Sequence, residues 1–144
     1  FRVLKPGGRM VVTREHVISE REDLQAFLNS HPLHHLYGGE NAFLLSEYID
    51  ALTDAGLRLE KVLAPYDSPI NYFPMTEKQW VSKYTAPLVN LIGPHLTEKL
   101  FDRDRGLGEL LIPPLARLAN SHNNSPGRLY SFLAMKPTCS QRYS

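Results

Sequence analysis

Lys5-Pro6-Gly7-Gly8 leads directly into Arg9-Met10-Val11-Val12-Thr13, a turn followed at once by an apolar run. Pro6 has the fixed φ wanted at the second position of a type II turn, and Gly7 supplies the positive φ of the third. Three consecutive apolar residues follow without polar alternation. They predict a strand over 9–13 that is covered on both faces, as in a parallel sheet. Ser19 with Glu22 has capping-box spacing, and Leu24, Phe27 and Leu28 then recur at helical intervals, predicting a helix over 20–29 that ends before His31-Pro32. Residues 31–41 read as a polar loop. A second helix is expected over 43–55, with Leu45, Ile49 and Leu52 on one face and Gly56 just past its end. Residues 57–64 alternate and then turn apolar, which gives another strand. Strand, helices, strand is the order of an α/β crossover.

The second half changes character. Residues 66–74 are turn-rich and aromatic, and Thr76 with Gln79 repeats the capping box at the head of a helix carrying Trp80, Val81 and Tyr84. Pro87 is expected to kink or restart this helix and Gly93-Pro94 to stop it. Short helices follow around 96–101 and 110–118, the second broken by Pro113-Pro114. Arg128–Met135 reads as a last strand and 138–144 as a frayed tail.

Composition excludes several classes. The 144 residues are 42% hydrophobic and 22% charged with a net charge of +1, so no strong field points to nucleic acid or an anionic membrane. No apolar run approaches the ~18 residues of a membrane span, and no signal peptide is visible; a cytoplasmic protein without membrane insertion is expected. Cys139 is the single cysteine, which rules out a disulfide framework or a thiolate zinc site and fits a reducing compartment. The chain opens on Phe1, and residues 1–4 read as the tail of an element already under way, so a piece of a longer chain is expected.

The run from Leu4-Lys5-Pro6-Gly7-Gly8 into Arg9-Met10-Val11-Val12 resembles the segment entering the fifth strand of class I S-adenosyl-methionine-dependent methyltransferases. Ala51-Leu52-Thr53-Asp54-Ala55-Gly56-Leu57 looks like the helix and junction leading to that family's sixth strand. Arg128 to Met135 would be its seventh, antiparallel strand. The resemblance implies an α/β fold: the C-terminal half (strands five to seven) of a Rossmann-like seven-stranded methyltransferase sheet, with a helical insertion before the last strand. Residues 1–73 and 127–137 would form the sheet portion, 74–126 the insertion and 138–144 a tail. It also implies methyl transfer to a small-molecule acceptor, with S-adenosyl-methionine bound mainly by a missing N-terminal half. The family's glycine-rich cofactor loop has no counterpart here, because Gly7-Gly8 and Gly38-Gly39 lack its spacing and its strand-to-helix context. No residue is assigned to the cofactor. The unmatched sheet edge makes aggregation, a homodimer or marginal stability the expected behaviour of the isolated chain.

Candidate site residues cluster after the first strand. Methyl transfer is an in-line displacement that draws mainly on alignment, with a general base adding ~10²–10⁴-fold. His16 is the candidate base, because an unperturbed imidazole titrates near neutral pH. Glu15 would orient it or bind a polar substrate group, and Arg14 would bind substrate. His34, Tyr37, Glu40 and Asn41 would contact substrate from a lid hinged at Gly38-Gly39. Tyr72 would contact it from a cap also lined by Tyr66, Phe73 and Trp80, unless these rings instead close a local core. No metal ligand set is assigned: His31-x-x-His34-His35 matches no zinc spacing, no cysteine joins it, and Pro32 argues against a regular helix there. The rival readings are a non-catalytic interaction module using the helical insertion and a metal-dependent hydrolase using the His-rich loop.

Overall fold

A computed structural model describes residues 3–138; Cys139 and residues 140–144 of the expected tail lie outside the described residues. The element order is β1 (Arg9–Ile18), α1 (Asp23–Ser30), α2 (Pro32–Tyr37), β2 (Phe43–Leu44), α3 (Leu45–Asp54), β3 (Arg58–Leu63), α4 (Pro69–Tyr72), α5 (Glu77–Ile92), α6 (Pro94–Leu100), α7 (Gly108–His122) and β4 (Arg128–Met135). The fold is α/β with an open, mixed four-stranded sheet in the order β2-β1-β4-β3.

Two compact units divide the chain. One comprises the residues up to Ala64 together with those from Asn124 on, and the other is Pro65–Asn123. The boundary therefore falls ahead of the aromatic stretch 66–73, which belongs to the helical unit and not to the sheet portion.

In the sheet unit the Lys5–Gly8 turn forms as its sequence predicts, with Gly8 N donating to Lys5 O at 2.8 Å and Gly7 at φ 76°. β4 pairs antiparallel with both β1 and β3, so β1 and β3 run parallel to each other. β1 is longer than 9–13. Between the pairs Val12–Phe132 and Glu15–Tyr130, two residues of β1 oppose Ser131 alone, and the strand resumes to Ile18. Such a bulge bends the strand and re-aims the side chains beyond it. Arg14, at its centre, has φ 62°, outside the usual range for a residue with a Cβ.

Beyond the bulge the alternation is clean. Val17 is fully buried with Tyr130 and Phe132 against Leu45, Tyr48 and Leu52 of α3. Ile18 points the other way, onto Phe27, Leu24 and Leu28 of α1. The first half of β1 departs from the expectation of a strand covered on both faces, since Val11 is 65% exposed. β2 pairs with β1 only at Val17 and Ile18, leaving that edge from Arg9 to His16 without a ladder neighbour among the described residues. Apolar character marks β1 as a strand, but covering its outer half needs surface that the described residues do not provide.

The helical unit is built on Trp80, Val81, Ile112 and Ala116, with Tyr66, Tyr72, Met75, Tyr84, Phe101 and Leu115 packed around them. The capping box forms: Thr76 Oγ1 accepts from Gln79 N, and Gln79 Oε1 accepts from Thr76 N at 2.7 Å. Gly93 ends α5 and Pro94 begins α6, as expected. The prolines do not break helices. α5 runs through Pro87 and α7 through Pro113 and Pro114. Burial of Ile112, Ala116 and Ala119 on one face of α7 outweighs the lost backbone hydrogen bonds.

Candidate active site

β1, the α1–α2 corner and the loop after α2 meet at the C-terminal end of β1. His16 and Glu15 leave the strand on opposite faces, being paired with Leu129 and Tyr130 respectively. The His16 ring lies 4.8 Å from Phe27 and 4.9 Å from His31, and Phe27 and His31 are 5.0 Å apart, so the three rings form one cluster. His16 Nδ1 is 2.8 Å from the carbonyl oxygen of Gly127. A carbonyl only accepts, so Nδ1 carries the proton and donates it. In the neutral ring Nε2 then holds the free lone pair. Glu40 joins this corner: one ligating atom from each of His16, His31 and Glu40 lies within 4.8 Å of the others, all three residues half-buried.

Pro32 does not keep the 31–41 segment irregular. It occupies the first turn of α2, where its missing N–H is no loss, and His31 closes α1 and precedes α2. His31 is therefore fixed by two helix ends and not carried on a free loop. His31 Nδ1 and His34 Nδ1 are buried without a hydrogen-bond partner. His35 is held away from the cluster, its Nε2 2.6 Å from Asn29 O. Asn41 turns its Oδ1 to accept from Ala42 N at 2.9 Å, a local role in the loop. α2 presents Leu36 and Tyr37, 70% and 83% exposed, to the outside.

Glu15 is not placed to orient His16. It acts on the opposite face, where it faces Tyr48 of α3. Burial first, and then the negative charge of Glu15, push the Tyr48 phenol up to about 12. Tyr48 Oη donates to His16 O at 3.2 Å, and its ring stacks on Phe132. A phenol whose pKa is raised on folding contributes stability that is fully present below its unfolded value of 10.0 and is lost as pH rises through about 12. The urea midpoint should therefore fall between about pH 10 and about pH 12, and Tyr48→Phe should flatten that fall. An unchanged slope in the variant would remove Tyr48 as its source.

Arg14 lies at the bulge, its N–H directed at Ser131 Oγ at 3.3 Å. Tyr72 belongs to the helical unit, where it packs with Trp80 at 6.2 Å between centroids, and Tyr66 packs at 5.3 Å. Trp80 is 1% exposed. Trp80 is the centre of this core, and the partly buried Tyr66 and Tyr72 pack against it. The helical unit also contains a cavity of about 430 Å³, lined in part by Val81, Thr85, Val89, Phe101 and Ile112. Its charged rim is already paired, Arg103 with Glu77 and Glu109 and Lys78 with Glu98. The buried imidazole nitrogens without a partner, on His31 and His34, are at the strand corner.

The sequence singled out His16 and Glu40 but not His31 as their companion. The available signal was His31-Pro32, a histidine fixed between two helix ends. Compared with known proteins, the chain matches no family model and no curated protein. No helix among the described residues is long and apolar enough to cross a membrane.

Proposed function

We propose that the chain supplies the acceptor-side portion of a class I, Rossmann-like S-adenosyl-methionine-dependent methyltransferase acting on a small molecule. The observation that carries this reading is the placement of His16: a base with a free Nε2, at the C-terminal end of a strand that runs parallel to β3, with antiparallel β4 between the two. Open α/β sheets bind ligands outside the carboxyl ends of their strands. The antiparallel last strand and the Lys5–Gly8 turn into β1 support the same family.

The described residues do not fit the cofactor's cradle. Gly7-Gly8 precede a strand and Gly38-Gly39 follow a helix, so neither pair forms a strand-to-helix turn. The reading therefore assigns the cofactor to other residues and gives this chain the acceptor. His16 Nε2 removes the acceptor's proton, Gly127 O keeps the ring in the competent tautomer, and the exposed Leu36 and Tyr37 of α2 offer apolar contact.

The test uses the full-length protein with S-adenosyl-methionine labelled on its methyl group and a small-molecule extract as acceptor pool. Label should pass to the extract, and His16→Gln should slow transfer ~10²-fold or more with cofactor binding unchanged. Failure of the full-length protein to bind the cofactor in equilibrium dialysis would overturn the reading.

A further inference from the structure

The corner that holds the candidate base has a second property, independent of methyl transfer. We propose that His16, His31 and Glu40 form a binding site for a divalent transition-metal ion of the zinc class. Their ligating atoms come together within 4.8 Å from three separate segments: β1, the α1–α2 corner and the loop after α2. In a tetrahedral zinc site with bonds of ~2.0–2.1 Å, neighbouring ligand atoms stand ~3.3–3.5 Å apart. Binding therefore requires a closure of ~1–1.5 Å at most, within the reach of side-chain rotation.

Three observations favour a cation over a simple polar cluster. His16 donates Nδ1–H to the Gly127 carbonyl, the outer-shell bond that metal-bound histidines characteristically make, and this leaves Nε2 as the ligand atom. His31 Nδ1 is buried without a hydrogen-bond partner, so the cluster does not satisfy itself. Phe27, 3% exposed, packs against both imidazoles and forms an apolar floor that limits water access from below.

The donor set selects the ion. Two imidazoles disfavour magnesium and calcium, which take oxygen ligands, and suit zinc and its neighbours. Two histidines and one glutamate complete three positions and leave a fourth for water or an acceptor oxygen, the arrangement of reactive rather than purely structural zinc sites.

The test is metal binding by the purified 144-residue chain after chelator treatment, without cofactor or acceptor, so its outcome is separate from that of the methyl-transfer assay. Cobalt(II) reports coordination by visible absorption, and zinc is then titrated in competition. Binding of one ion per chain is expected, with Glu40→Gln and His31→Ala each weakening zinc by ~10-fold or more. His35→Ala, which removes a ring engaged with Asn29 O outside the cluster, should leave affinity unchanged. Far-UV circular dichroism of each variant confirms folding. The site is overturned by absent zinc binding in the folded chain, by unchanged affinity in folded Glu40→Gln, or by a loss in His35→Ala equal to that in His31→Ala.

Discussion

Gly127→Ala is expected to destabilise the sheet unit by about 2–5 kcal/mol, a large share of the ~5–15 kcal/mol that holds a whole domain. Two independent terms add. Gly127 sits at φ 75°, where a residue with a Cβ is strained by ~1–2 kcal/mol. A Cβ built there would also stand 2.2 Å from Cδ2 and 2.4 Å from Cε2 of Phe27, an overlap with a rigid ring that only a backbone or ring shift can relieve, at ~1–3 kcal/mol. Both polar groups of Gly127 are engaged nearby, N–H to Val17 O at 3.0 Å and C=O to His16. Any shift that relieves the clash therefore strains the bond that sets the His16 tautomer. Urea unfolding followed by circular dichroism gives the stability change. Phe27→Ala alone should cost ~3–5 kcal/mol by leaving a cavity, and the double variant should lose less than the sum of the singles because the added methyl then has space. Strict additivity would show that residues 27 and 127 do not meet as described.

The same corner shows what the sequence conveyed and what it could not. Local chemistry was legible. The Pro6-Gly7 turn, the Thr76–Gln79 box and the bounds of β4 all follow from rules that act within a few residues. The full length of β1 is hidden in the sequence because Thr13 and Arg14 form a bulge that interrupts the period of two. Beyond it, both faces of the strand are covered, so Glu15-His16-Val17-Ile18 shows no simple apolar alternation. α2 is not legible in the sequence because Pro32, which follows one helix, also opens the next. The prolines of α7 erred in the same direction, since tertiary burial overrode local propensity. The meeting of His16, His31 and Glu40 depends on how the strand end, a helix corner and a loop fold together, and no spacing in the sequence encodes that. Individual residues could be nominated, but not the set.

Trp80→Ala should unfold or nearly unfold the helical unit, with a loss of ~3–5 kcal/mol from the removed transfer energy and the remaining cavity. Trp80 is 1% exposed and touches the residues that join α5 to α7, with Val81, Ile112 and Ala116 buried beside it. The surrounding rings of Tyr66 and Tyr72 cannot close the gap cheaply. Tyr66 is anchored through its backbone N–H to Asn120 Oδ1 at 3.0 Å, and Asn120 in turn donates to Asp67 at 2.9 Å. Because the chain contains one tryptophan, the wild-type emission reports this unit alone, and its red shift should track helix loss at 222 nm on urea addition. Trp80→Phe, which keeps an apolar ring, should lose less than the alanine variant. The comparison separates the two roles a buried aromatic cluster can have. A ring lining a substrate cap would weaken binding on truncation and leave the unfolding midpoint in place. A ring at the centre of a core lowers the midpoint first, and its packing here predicts the second result.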